Sequence, residues 1–384
     1  MNKAVKVCNI CKSELSAPIY DSRSLQSLTS LCRLYPGSTQ VWFCTCCGHV
    51  LSNPLEGTDE YYATEYDILL DHEDEDQIYE VKGGEITYRI DRQLAVICQK
   101  VQFRPGMKVL DYGCAKAGMS KRLDRQVPGM EFYFYDVSDR YLEYWQKLAP
   151  SYNHAILATP AHWENQFDLI TSYFSLEHIP DPVASMAHIT SMLKKGGLFY
   201  AIVPDIFGNK ADFIVVDHVN HFTRTSLAHL LQEAGLSVVD IDSTSHRGAL
   251  VVVARNGGEV ADLERDDGLK QQVQELANYW GTASRRVQQA RAGHNGSCAI
   301  YGSGFYGTFI YSMLADPHEV ACFLDQSPYQ QGKSVFGVPV ISPEALPEDI
   351  KTLFVGLNPA IAREVIAGQP CLQRPDLRTI YLDS

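Results

Sequence analysis

Nowhere in the 384 residues does an apolar run approach the ~18 residues needed to cross a bilayer as a helix. The first fifteen residues, Met1 to Leu15, have a basic start with Lys3 and Lys6 but lack the apolar stretch of a signal peptide. The chain is therefore expected to remain in a reducing cytoplasm. Positive charge is also scarce. Thirty-three Lys and Arg stand against 46 Asp and Glu, a net charge of −13, which argues against non-specific attraction to nucleic acid or anionic lipid and leaves room only for a local basic groove. There is no internal repeat and no low-complexity tract, so a solenoid or a compositionally biased linker is excluded. What remains is ordinary in bulk: 45% apolar residues at this length suffice for two or three domains with their own cores.

The eleven cysteines are less ordinary. In a reducing compartment, clustered cysteines bind metal or react more often than they form disulfides. Cys8-x-x-Cys11 and Cys44-x-x-Cys47 can each place two thiolates on one tight turn, and two such turns make a tetrahedral shell of four sulfurs. Zn2+ suits that shell, because its filled d-shell imposes no geometry of its own. Four cysteines close the coordination sphere, so the metal serves folding rather than chemistry. Cys32, Cys46 and His49 read as bystanders; separate structural or redox thiols are the alternative.

Along the chain, residues 1–57 form the cysteine-rich segment. An acidic, tyrosine-rich stretch follows, in which Asp71 to Asp76 reads as a solvated loop. A helix is expected from Ile86 to Val101, ended by Pro105-Gly106. From residue 107, buried strands alternate with helical patterns: MKVLDYG, EFYFYDV, HAILA, FDLITSY and GLFYAIVP, then LSVVDID and GALVVVA joined by a short turn. That alternation predicts a mostly parallel α/β sheet of seven strands whose closing pair is antiparallel. Residues 258–294 read as a polar helical connector within domains drawn at 1–57, 58–257 and 295–384. In the last of these the β/α alternation restarts with four short strands, CAIYGSG, VACFLD, TLFVGLN and RTIYLD.

Two glycine-rich turns follow strands. The first, VLDYGCAKAG, holds Asp111 and Gly113, with Ala115 and Ala117 where glycines would complete the spacing, and then Gly118. Asp136 ends the next strand, where a carboxylate can accept hydrogen bonds from both hydroxyls of a ribose. FDLITSYFSLEHIPDP and LKKGGLFYAIVP complete the pattern. Over about residues 105–257 the chain resembles the class I S-adenosylmethionine-dependent methyltransferases, whose first motif is acidic-x-Gly-x-Gly-x-Gly. The resemblance implies a seven-stranded Rossmann-like sheet holding S-adenosyl-L-methionine on Asp111, Gly113, Ala115, Gly118 and Asp136, with Phe174 beside it and Asp168 opening the fourth strand. Alanine in the turn is expected to keep an ordinary helical conformation, since it fails only where φ must be positive.

The second turn, IYGSGFYG, keeps Gly302, Gly304 and Gly307, and Asp325 ends the following strand. Alone, this is a dinucleotide fingerprint. The segment is half the length of a dinucleotide domain, however, and nothing after it could form a substrate domain. It is similar to the small β/α domain of sugar N-acetyltransferases and to the C-terminal part of bacterial deoxysugar C-methyltransferases. Both resemblances imply a nucleotide-linked sugar bound at Gly302, Gly304, Gly307 and Asp325, with its diphosphate on backbone N–H groups at the helix start. A purely structural or dimerisation domain, and NAD binding, are the alternatives. The order of cysteine segment, methyltransferase and small Rossmann-like domain resembles the deoxysugar C-methyltransferases over nearly the whole chain. The first turn departs from that family's Glu-x-x-Ser-Asn-Asp-Gly loop.

Methyl transfer to a carbon acid or hydroxyl requires loss of a proton, and histidine is the natural base near neutral pH. The stretch DHVNHFT contains Asp217, His218 and His221. By the deoxysugar C-methyltransferase resemblance, His218 is the expected base. His221 and His178, in LEHIP, are further candidates, and each could equally pack or hydrogen-bond. A metal set of Asp217, His218 and His221 also fits the spacing. The expected function is transfer of a methyl group from S-adenosylmethionine to a nucleotide-linked deoxy- or aminosugar, carbon slightly preferred over oxygen or nitrogen, for polysaccharide or natural-product synthesis. A methyltransferase for a non-sugar or carrier-bound substrate, and a non-catalytic zinc-containing binding protein, are the alternatives. Neither nucleic acid nor a membrane is expected as partner.

Overall fold

The computed structural model describes residues 5–55, 78–82, 85–150, 153–259, 266–292, 296–314 and 319–383. The acidic run Asp71 to Asp76 lies outside the described residues. The chain divides into two units: Met1–Ala17, Trp42–Asp212 and His218–Lys270 form the first; Pro18–Val41, Phe213–Asp217 and Gln271–Ser384 form the second.

The first unit is built on a seven-stranded sheet. A short strand β1 (Val50–Ser52) lies outside it. The sheet strands are β2 (Lys108–Tyr112), β3 (Glu131–Asp136), β4 (His154–Ile156), β5 (Phe167–Tyr173) and β6 (Leu193–Pro204). After the two-residue β7 (Asn220–His221), which pairs with β1, come β8 (Leu236–Asp242) and β9 (Ala249–Asn256). Their order is β4-β3-β2-β5-β6-β9-β8. All pairings are parallel except those of β9, which runs against both β6 and β8. All seven strands are those expected from the sequence, including the antiparallel closing pair.

Both faces of this sheet are covered, which is why its strands read as near-continuous apolar runs. Leu110, Ile170, Phe199, Ala201 and Val252 point to one face; Val109, Phe134, Leu169, Ile202 and Val251 point to the other. Helix α1 (Arg89–Lys100) and helix α2 (Gly118–Gln126) bury Val96, Ile97, Met119 and Leu123 against the second face. Helix α3 (Pro182–Met192) and helix α4 (Arg224–Glu233) bury Met186, Ile189, Leu227 and Leu230 against the first. Each such side chain contributes about 1.5–3 kcal/mol on burial. The ends are set by sequence: Asp181 caps α3 with Pro182 in its first turn, and Thr223 and Ser226 form a capping box on α4. The helix expected from Ile86 begins only at Arg89. Glu85–Tyr88 is a strand paired with Ile78–Lys82, in keeping with the β-branched and aromatic residues Ile86, Thr87 and Tyr88.

The second unit carries helix α5 (Leu269–Ala292, apart from its first two residues) and a six-stranded sheet. Its strands are β10 (Cys298–Tyr301), β11 (Val320–Leu324), β12 (Ser334–Val335), β13 (Val338–Ile341), β14 (Thr352–Val355) and β15 (Arg378–Tyr381), in the order β12-β13-β11-β10-β14-β15. Four of these match the sequence reading; β12 and β13, in SVFGVPVI, are too short and too interrupted by Gly337 and Pro339 to stand out. Helix α6 (Phe305–Met313) packs on α5 through Trp280, which stacks on Tyr306 and meets Phe309 edge-on at 4.8 Å. The segment 18–41 also belongs to this unit, where Leu28 bridges to Val215.

Candidate functional site

The turn leaving β2 is held by its own residues. Gly113 has φ +72°, and a Cβ there would lie 2.2 Å from Ser175 Oγ, so only glycine fits. Ala115 and Ala117 do not take the helical conformation expected of them: both are left-handed, with φ 44° and 53°. The alanines thus occupy glycine conformations, at a cost of about 1–2 kcal/mol each. Neighbours enforce this. The Ala115 N–H donates to Asp136 Oδ2 at 2.9 Å, and Trp145 Nε1–H donates to the Ala115 carbonyl at 2.7 Å.

Asp136 also accepts from Ser138 N–H through Oδ1 at 3.1 Å. Each carboxylate oxygen keeps a second lone pair, which suits two adjacent hydroxyls of a ligand. Asp111 is 2% exposed and accepts from Ser120 Oγ at 2.7 Å and from Thr171 Oγ1 at 3.4 Å. Burial pushes its carboxyl up to about 6, partly offset by those two hydroxyls. Gly118 opens α2, and Phe174 lies under the Arg89 guanidinium, 3.8 Å from ring centre to Cζ. Asp168 anchors the far end of β5 through the Lys108 N–H and Lys194.

The loop after β6 carries the histidines. Asp212, fully buried, meets His218 Nδ1 at 2.5 Å and His221 Nδ1 at 3.2 Å. Burial acts to raise this carboxyl, but the two imidazoles outweigh it and hold it well below the usual carboxylate range. A carboxylate only accepts, so each imidazole presents Nδ1–H to it and carries its lone pair on Nε2. His221 is wholly buried, and its Nε2 meets Ser52 Oγ at 2.8 Å. Both its ring nitrogens are therefore engaged. His218 is 7% exposed, and its ring meets that of His178 edge-on at 4.7 Å. The metal set Asp217, His218 and His221 does not form. In the second unit, the Asp217 carboxylate accepts from Ser30 N–H and Oγ–H, both at 2.6 Å. Glu177, which the sequence reading did not select, takes the place Asp217 was given. It is 1% exposed, and its donor atom lies within 4.8 Å of those of His178 and His218. Burial pushes Glu177 up to about 7, with the nearby His218 acting against it.

Asn220 fixes this loop. Its Nδ2–H2 donates to the carbonyls of Leu176 and Ile179, at 2.9 and 2.7 Å, which bracket Glu177 and His178. Its Oδ1 accepts from Asn9 Nδ2–H at 2.7 Å and faces His49 Nε2 at 3.3 Å. Asn9 lies between Cys8 and Cys11. The sulfurs of Cys8, Cys11, Cys44 and Cys47 cluster within 4.8 Å of one another, with Cys8–Cys47 at 3.6 Å and Cys11–Cys44 at 3.4 Å. Hydrogen bonds from Cys47 and Cys8 hold Cys44 well below the usual thiol range. Four converging soft donors fit a tetrahedral cation such as zinc. Cys32 and Cys46 are outside the cluster, and His49 bonds Asn220 instead.

In the second unit, Gly302 has φ +94°, and a Cβ there would lie 2.4 Å from the Gly356 carbonyl. A Cβ on Gly307 would lie 1.8 Å from that of Gly302, while Gly304 meets nothing within 4 Å. The first and third glycines thus serve close packing of turn, helix and strand, and Gly304 opens α6 to its surroundings. Asp325 Oδ2 accepts from Ser303 N–H at 3.1 Å and Oγ–H at 2.6 Å, and Oδ1 from Ser327 N–H at 2.9 Å. This repeats the way Asp136 holds the amide of Ala115.

Residues 85–241 match the model of a methyltransferase domain family. With the seven-stranded order above, the match gives this part of the chain the class I methyltransferase fold. Among curated proteins, C-methyltransferase NovU of Streptomyces niveus is 26% identical over 215 residues, covering 50% of this chain and 51% of that one. The ubiquinone biosynthesis O-methyltransferase of Aromatoleum aromaticum is 26% identical over 164 residues, covering 37% of this chain and 68% of its own. The chain thus spans about half the length of the first of these, 51%. A solved S-adenosylmethionine-dependent methyltransferase from Mesorhizobium loti is similar at TM-score 0.36 and 16% identity, covering 43% of this chain and 97% of that one.

Proposed function

We propose that the chain transfers the methyl group of S-adenosylmethionine to a nucleotide-linked deoxy- or aminosugar, at carbon in preference to oxygen or nitrogen. The donor lies on the turn Gly113–Gly118, with its ribose on Asp136 and Phe174 beside it. Zn2+ on Cys8, Cys11, Cys44 and Cys47 closes a structural site with no position for chemistry. The sugar nucleotide is recognised by Gly302, Gly304, Gly307 and Asp325.

The observation that carries the reading is the pairing of that turn with a histidine oriented by a buried carboxylate. Methyl transfer from a sulfonium is an in-line displacement: the acceptor atom's electron pair forms the new bond to carbon as the S–C bond breaks onto sulfur. Alignment and exclusion of water supply much of the rate. The acceptor must also be stripped of a proton. Asp212 takes Nδ1 of His218, which leaves Nε2 as the nitrogen that acts on the acceptor side. His221, with both nitrogens engaged inside the protein, supports His218 rather than acting itself. The likeness to a C-methyltransferase favours carbon. The likeness to a ubiquinone biosynthesis O-methyltransferase favours a second reading, O-methylation of a non-sugar acceptor.

The test is incubation with isotopically labelled S-adenosylmethionine and a panel of nucleotide-sugars, read by mass spectrometry. Label is expected in a nucleotide-sugar, and His218→Ala is expected to abolish it while calorimetric S-adenosylmethionine affinity stays within about threefold. Label only in non-sugar acceptors would overturn the substrate class. Full activity in His218→Ala would remove that residue from the reaction.

A further inference from the structure

We propose that Glu177, His178 and His218 form a binding site for a divalent transition-metal cation, separate from the four-cysteine cluster. The inference rests on the function proposed above and changes the role of His218 within it: with its Nε2 lone pair on the cation, His218 no longer takes the proton itself, and the cation polarises the acceptor's oxygen so that the proton can leave to water.

The three donor atoms lie within 4.8 Å of one another. Around a cation held at about 2.1 Å, donors sit about 3–3.5 Å apart, a difference that small side-chain rotations close. The second observation is the state of Glu177. It is 1% exposed, and its Oε2 is buried without any hydrogen-bond partner. An ionised carboxylate in that position is strongly disfavoured unless a positive charge meets it. A cation supplies the missing partner.

A third observation is the bond from His218 Nδ1 to Asp212 at 2.5 Å. Imidazoles that bind metals characteristically give their other N–H to a carboxylate, which fixes the ring and raises the basicity of the coordinating nitrogen. Asp212 does this for His218. Asn220 holds the opposite side of the site by bonding the carbonyls of Leu176 and Ile179 on either side of Glu177 and His178. The ligands are thus brought together before any cation arrives. Two imidazoles and one carboxylate suit Mn2+, Fe2+, Co2+, Ni2+ or Zn2+ in preference to Mg2+ or Ca2+. Three protein donors leave coordination positions for oxygen atoms of an acceptor, such as a carbonyl and its neighbouring hydroxyl, which the cation polarises.

Co2+ is the probe, added to full-length protein whose cysteine cluster is loaded with zinc and followed by calorimetry and visible absorption. One equivalent should bind, with the weak d–d bands of nitrogen and oxygen ligation and no thiolate-to-cobalt charge transfer. Glu177→Gln and His178→Asn should each weaken binding at least about tenfold with little change in melting temperature. His178 is only partly buried, so its variant carries the test if the Glu177 variant misfolds. No binding up to about 1 mM Co2+, charge-transfer bands alone, or unchanged affinity in His178→Asn would overturn the site. Calorimetry with S-adenosylmethionine uses none of these three residues. Retained donor binding without Co2+ binding would sink the cation and leave the methyltransferase reading standing; lost donor binding would sink that reading.

Discussion

Replacing Asp111 by Asn should stabilise the protein at alkaline pH while weakening its hold on the methyl donor. Asp111 is buried at the end of β2, with its carboxyl raised from 3.8 to about 6. A carboxyl raised in the folded state binds more protons there than in the unfolded chain, so stability falls as pH climbs through the interval between the two values. The interval from 3.8 to about 6 corresponds to a full penalty of roughly 3 kcal/mol above pH 7. At pH 5 the same linkage gives roughly half of that. Asparagine carries no charge and escapes this penalty. It keeps one acceptor for Ser120 or Thr171 and presents an amide N–H to the other, losing about 1 kcal/mol at most. The expected gain over wild type is therefore roughly 1–2 kcal/mol larger at pH 8 than at pH 5. Urea denaturation of both proteins at the two pH values, followed by the fluorescence of the four tryptophans, measures it. Any effect of acid on the four-cysteine cluster is common to both proteins and cancels in the comparison. A variant less stable at pH 8, or a difference that does not change with pH, would refute the reasoning. The donor-binding loss, read by calorimetry, would show that the strain of a buried carboxylate is kept for function.

Gly113→Ala should lose more than about 2 kcal/mol in denaturant melts, because left-handed φ costs about 1–2 kcal/mol and the new Cβ would press on Ser175 Oγ. Ala115→Gly, in contrast, should change stability by less than about 1 kcal/mol in either direction, since relief of left-handed strain is offset by the freer unfolded chain. Cys44→Ser should lower zinc content by one equivalent in elemental analysis and the melting temperature by about 10 °C, the shift of roughly 3–4 kcal/mol in a unit of this size. Asp212→Asn should cut kcat about 100-fold or more without changing KM for S-adenosylmethionine; a loss below tenfold would mean that the Asp212–His218 bond does not serve turnover. The depressed Asp212 carboxyl stabilises the fold above the unfolded carboxylate value and loses that effect only in strong acid, so the stability deficit of this variant should persist through neutral pH.

The large sheet is legible because burial on both faces writes itself as apolar runs, and all seven of its strands stand out on that signal. The four clustered cysteines were legible because two tight turns place their own thiols. Pairings between distant residues were not. Asp217 precedes His218 in sequence and by spacing could join it and His221 in a metal set, yet the carboxylate that reaches the imidazole is Asp212, from the helical turn upstream. Nothing in the spacing distinguishes the two aspartates; the path of the chain decides. Glu177 stood beside His178 in LEHIP and could have been selected as a buried acid next to a histidine, but its burial depends on the loop carrying Asn220. The left-handed alanines were missed because the conformation is imposed from outside the turn, by Asp136 and Trp145.

Asn220 explains why a cysteine cluster belongs with this chemistry at all. One face of its amide holds the Leu176–Ile179 turn that presents Glu177 and His178; the other is held by Asn9, inside the first cysteine pair. The side chain is 1% exposed, and leaving either face without its partners costs about 1–3 kcal/mol. The Cys8–Cys11 turn is therefore a support for the histidine loop as well as half of the four-sulfur cluster. A change at Asn9 that leaves all four sulfurs in place separates the two roles. Asn9→Ala should keep its zinc and yet lose turnover through a looser His218, whereas full activity with full zinc would show that the cysteine turn supports only its own fold.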